Sequence, residues 1–125
     1  MRVLVVDDEP DARALIRRVL SGCRAEVRVA GSAAEALAAL GEFTPDILVS
    51  DVGMPDVDGY DLLRQVRASG RPSSRLPAVA LTAFARPEDS ERALAAGFQT
   101  HVAKPVDPAR LVAVVAGLTG RTGPA

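Results

Sequence analysis

The chain opens MRVLVVDDEP, a nearly apolar run from Arg2 to Val6 that stops at three adjacent acids, Asp7, Asp8 and Glu9. Other chemically capable side chains stand at the ends of other apolar runs: Asp51 after DILVS, Thr82 closing LPAVALT, and Lys104 after THVA. Carboxylates gathered within about 4–6 Å repel one another by roughly 1 kcal/mol per pair in water, and by several times that in less polar surroundings. A site built from Asp7, Asp8 and Asp51 therefore needs a cation. Hard oxygen ligands with no His or Cys nearby suit Mg²⁺, which prefers octahedral geometry and keeps waters to exchange for an incoming phosphate. Of the 15 basic residues, 14 are Arg and only Lys104 is Lys. Its ammonium is a compact, movable charge where a guanidinium would fork differently. With Mg²⁺ on one side and Lys104 on the other, Asp51 is placed to act as a nucleophile toward a phosphoryl group and become an acyl phosphate. Taken singly, the same residues have plainer readings. Acids favour the positive end of a helix dipole, Asp51 could cap a loop, Thr82 could be a satisfied strand end, and Lys104 a surface charge. Their joint placement favours the site.

The elements that must hold them are legible as five short apolar runs, near 2–6, 25–30, 46–50, 76–82 and 98–103, alternating with five helical patterns. RVLVV and DILVS are apolar almost throughout, as expected of central parallel strands covered on both faces. AEVRVA alternates Glu26 and Arg28 with Val27 and Val29, which predicts an outer strand. The first helix has Pro10 in its opening turn and an inward stripe of Ala12, Leu15, Ile16, Val19 and Leu20. Ser32 to Glu35 is a capping box for the second helix, which turns Leu37 and Leu40 inward. Gly59 precedes a third with Leu62, Leu63 and Val66 inside, and Asp107 caps a fifth with Leu111, Val115 and Leu118 inside. Such an alternation predicts right-handed crossovers and a doubly wound parallel sheet, with ligands bound beyond the carboxyl ends of its strands. Residues spread over most of the chain then converge on one edge.

A chain of 125 residues suits one domain, taken as 1–120 with a tail at 121–125. Fifteen basic against 16 acidic residues, with no basic run, makes nucleic acid or an anionic membrane an unexpected partner. Neither a run of 18 apolar residues nor a secretory leader is visible, so a cytoplasmic location and no membrane contact by this domain are expected. Cys23, the only cysteine, excludes an internal disulfide and is given no role. A dinucleotide fold is disfavoured because no G-x-G-x-x-G follows the first strand.

Asp7-Asp8, Asp51, Thr82 and Lys104-Pro105 together resemble the signature set of two-component response-regulator receiver domains, and SDVGMPDVDGYDLL, with Met54, Pro55 and Gly59, resembles that family's phosphoacceptor loop. The resemblance spans nearly the whole chain. It implies an α/β fold, (βα)5, a doubly wound five-stranded parallel sheet of flavodoxin-like order 2-1-3-4-5. It further implies Asp51 as phosphoacceptor, Mg²⁺ held by Asp8, Asp51, the Gly53 carbonyl and, through water or by charge, Asp7, and phosphate oxygens held by Thr82, the Ala83 N–H and Lys104. Thr82 and His101 would be the switch pair, working on the face of the fourth helix, fifth strand and fifth helix, and Pro105 would follow a cis peptide bond. The phosphoryl donor would be a phosphohistidine on a histidine kinase or a histidine phosphotransfer domain. Gly53 and Phe84 stand where other members often carry polar side chains that help water attack the acyl phosphate, which implies slow self-dephosphorylation. Such a domain is a phosphoacceptor rather than an enzyme. GFQTHVAKPVDPARLVAVVAGL looks more like the C-terminal receiver of a hybrid histidine kinase, with covalently attached kinase domains, than like a stand-alone regulator; both stay open. A pseudo-receiver that binds partners without accepting phosphate is the alternative function, opposed by the intact acids and lysine. A phosphohydrolase of the haloacid dehalogenase type wants a second Asp where Gly53 stands.

Overall fold

A computed structural model describes residues 1–22, 24–53, 58–70, 76–83 and 87–119, without the side chains of Pro87, Asp89 and Ser90. Cys23, Met54, Pro55, Phe84 and the 121–125 tail lie outside the described residues. Five strands alternate with five helices: β1 (Arg2–Val6), α1 (Pro10–Ser21), β2 (Glu26–Ala30), α2 (Ala33–Leu40), β3 (Ile47–Asp51), α3 (Gly59–Ala68), β4 (Ala78–Thr82), α4 (Pro87–Ala96), β5 (Thr100–Ala103) and α5 (Pro108–Thr119). All pairs are parallel and the order is β2-β1-β3-β4-β5, so the fold expected from the alternation is the fold observed.

The strand patterns explain their places. β3 and β4 are buried along their whole length, as their continuous apolar runs require of strands covered on both faces. β2, with its alternating charges, is an edge, and β5 is the other. Side chains leave the sheet in two sets. Leu4, Val6, Leu48, Ala78 and Ala80 meet α2, α3 and α4, while Val3, Val5, Val49, Val79 and Leu81 meet α1 and α5. Helix starts follow their capping chemistry. Ser32 Oγ accepts the Glu35 N–H at 3.1 Å, Asp58 Oδ1 accepts the Asp61 N–H at 2.9 Å, and Asp107 Oδ1 accepts the Ala109 N–H at 3.2 Å. Each satisfies one of the donors that a helix start leaves open.

One expected core position differs. Ile16 and Leu20 are buried, but Leu15 is 45% exposed. The inward face of α1 centres on the Ile16–Leu20 line, and Leu15, one residue round the helix, is turned toward the groove beside Pro105 and Val106.

Candidate functional site

The parallel arrangement brings every strand's carboxyl end to one edge, and the sequence ends four of the strands there with groups that are not apolar. Asp7 follows β1, Asp51 is the last residue of β3, Thr82 the last of β4, and Lys104 follows β5. Backbone pairing fixes their spacing. The Asp7 N–H donates to the Ala30 carbonyl at 3.1 Å, and the Lys104 N–H to the Thr82 carbonyl at 2.7 Å. Asp7 is wholly buried; its Oδ1 accepts the Glu9 N–H at 3.0 Å, and its backbone carbonyl accepts from Arg13 Nη1 at 2.9 Å. Asp51 Oδ1 accepts the Gly53 N–H at 3.1 Å.

Ligand atoms from Asp7, Asp8 and Asp51 all lie within 4.8 Å of one another. Against them stands one ammonium: Lys104 Nζ lies 3.0 Å from Asp7 Oδ2 and 3.5 Å from Asp51 Oδ2. Partial burial opposes the charge on Lys104, but the hydrogen bond to Asp7 and the fields of Asp51 and Asp7 outweigh it and hold its pKa above the ordinary lysine value. Three carboxylates facing one ammonium leave a surplus of negative charge, and the donor set is all oxygen. Both properties fit a hard divalent cation such as Mg²⁺. Asp8, Asp51, Gly53, Thr82, Ala83 and Lys104 line one cavity of about 320 Å³. Thr82 Oγ1 is buried with no hydrogen-bond partner among the described residues. Such a group is costly to leave unpaired, by about 1–3 kcal/mol, and Thr82 is one of the residues that line the cavity.

The Lys104–Pro105 peptide is cis. His101 does not line the cavity. It stands opposite Ala80 on β5, half-buried, on the sheet face that carries α3 and α4. Two contributors escaped the sequence. Tyr60 forms part of the cavity wall, packs edge-on against Phe98 with ring centroids 6.3 Å apart, and carries the Arg92 guanidinium 4.3 Å above its ring. Arg13 secures the Asp7 carbonyl. Only the aromatic type of Tyr60 beside Gly59 hinted at the first, and nothing in the sequence hinted at the second.

A five-stranded parallel α/β domain with an acidic, lysine-bearing pocket at its strand ends is the architecture of a signalling receiver, and comparison with known proteins agrees. Residues 3–116 match the family described as response regulator receiver domain, and the chain belongs to that family. It is 49% identical over 115 residues to an uncharacterized 14.6 kDa protein in the sodA1 3′ region of Leptolyngbya boryana, covering 92% of this chain and 87% of that one. It is 38% identical over 106 residues to the sensor histidine kinase RcsC of Salmonella typhimurium, covering 85% of this chain but only 11% of that much longer protein. The chemotaxis protein CheY4 of Vibrio cholerae shares the fold with a TM-score of 0.88 at 29% identity, covering 94% of this chain and 97% of that one. Receiver domains of this family work with histidine kinases or phosphotransfer proteins and generally bind Mg²⁺ at an acidic pocket. No described helix is long and apolar enough to cross a membrane.

Proposed function

We propose that Asp51 accepts a phosphoryl group from a phosphohistidine on a histidine kinase or histidine phosphotransfer domain, and that the resulting charge is read out through Thr82 and His101. The observation that carries this is the position of Lys104 Nζ, within 3.5 Å of both Asp7 and Asp51, on the wall of a cavity that Asp8, Asp51 and Thr82 also line. The Asp51 carboxylate attacks phosphorus, a P–O bond forms, the P–N bond to the donor imidazole breaks, and the imidazole leaves with the bonding pair. Lys104 holds a phosphoryl oxygen by charge and hydrogen bond, and Thr82 and the Ala83 N–H donate to the others. Asp7, Asp8, Asp51 and the Gly53 carbonyl would hold Mg²⁺, which when bound supplies the positive charge that lets carboxylates and phosphoryl oxygens share one pocket.

Phosphorylation adds close to two negative charges. Thr82 Oγ1 turns to them, His101 on the neighbouring strand adjusts, and the α4-β5-α5 face changes. The donor approaches over the apolar rim beside Lys104, where Ala12, Leu15, Pro105 and Val106 form a shallow groove. The likeness to a sensor histidine kinase, RcsC, supports attached kinase domains as one arrangement of donor and acceptor.

Incubation with Mg²⁺ and a small phosphodonor is expected to add one phosphoryl mass, lost in Asp51→Asn. A folded protein that gains nothing would return the reading to a phosphate-independent binding module. Gly53 has no side chain to steer water at the acyl phosphate, so the phosphorylated form should persist for minutes or longer. Decay within seconds in purified protein, followed by mass spectrometry, would contradict that.

A further inference from the structure

Away from the phosphoryl pocket, one helix face is difficult to explain by folding alone. Arg13, Arg17 and Arg18 of α1, with Ala14 and Ser21, form one wall of a groove of about 410 Å³ whose other wall includes Val29 of β2. Arg13 and Arg17 are four residues apart on the helix, where like charges repel. Elsewhere, Arg2, Arg28, Arg64 and Arg92 each pair with a carboxylate, on Glu26, Glu42, Asp61 and Asp58. Arg17 and Arg18 have no ion pair among the described residues, and Arg13 donates only to the Asp7 backbone carbonyl. Beneath this face runs β2, which among the described residues pairs with β1 alone and leaves its outer row of backbone N–H and C=O groups open. The far face of the strand is closed by the Arg2–Glu26 and Arg28–Glu42 pairs, while Val27 and Val29 turn to the α1 side.

We infer that α1 and the free margin of β2 form a docking groove for an extended, acidic segment of another protein, separate from phosphoryl transfer. A strand added to β2 would satisfy the open backbone groups. Its alternate side chains would rise toward α1, where carboxylates meet guanidinium forks. The spacing of three arginines over about one and a half helical turns suits a few carboxylates on one strand. A broad polyanion fits less well, because it would leave the open backbone row of β2 unpaired.

The test is a fluorescence-anisotropy titration of the intact chain with a labelled decapeptide of alternating glutamate and threonine. Saturable binding that weakens with salt, falls at least about tenfold in R17E/R18E, and falls similarly when proline replaces threonine in the probe is the expected result. The proline probe keeps the charges but cannot add as a strand. Phosphoryl uptake at Asp51 should be unchanged in R17E/R18E, which shows that the variant is folded. The inference is overturned by no saturable binding, by equal binding to wild type and R17E/R18E, by equal binding of the proline probe, or by tighter binding of single-stranded DNA or phosphatidylserine vesicles than of the peptide.

Discussion

Lys104 is the residue on which the electrostatics of the pocket turn. Its ammonium meets two carboxylates, and they raise its pKa against the opposing pull of burial. A raised pKa means that the folded state holds this proton more tightly than the unfolded chain. The stabilisation is therefore fully present below the unfolded value, 10.5, and disappears as pH rises through the higher folded value. Comparing denaturant unfolding of wild type and Lys104→Met should give a stability difference that is flat from neutral pH to about 9 and narrows above 10.5. A difference that stayed constant into strong alkali would mean that Lys104 contributes packing alone.

At the scale of elements, Gly59 joins the start of α3 to the end of β3 at the closest approach in the site. A Cβ there would fall on the Asp51 carbonyl oxygen and 2.8 Å from Val52 Cα, both backbone atoms with no freedom to yield. Gly59→Ala should destabilise by roughly 1–3 kcal/mol and slow phosphoryl uptake, because the displaced atoms carry Asp51. Leu111→Ala, in the wholly buried stripe of α5, should cost about 2–5 kcal/mol and leave uptake intact in the fraction that folds. Urea unfolding with phosphorylation kinetics on the same samples separates the two. The strands, the central places of β1 and β3, the outer place of β2 and the residues at the strand ends were legible because apolar runs and caps are written locally. The need for glycine at 59 was visible only as a turn signal, since its reason is a close backbone approach to Asp51 and Val52 at the end of the preceding strand. Leu15 was misread for a related cause. Helical spacing identifies an apolar stripe, but how far neighbouring elements extend over it is decided by the packing of α5 and the Pro105–Val106 segment.

For the molecule as a whole, gathering Asp7, Asp8 and Asp51 at one edge brings like charges together, and a bound cation would offset their repulsion. In metal-free buffer Asp8→Asn should be as stable as wild type or more so, by about 0.5–1 kcal/mol, because it removes one charge from the repelling set. Adding Mg²⁺ at a hundredfold excess over its Kd should raise wild-type stability by about 2.7 kcal/mol and leave Asp8→Asn nearly unmoved, as read from melting temperature. Removing the metal with a chelator should reverse the gain.

The strand order has one more consequence. β2 and β5 are opposite margins of the sheet with three strands between them, which sets them about 19 Å apart. A protein seated along one margin leaves the backbone of the other open, so the arginine side and the His101 side are separate surfaces. The domain has the dimensions of a coupling piece able to sit between two neighbours at once.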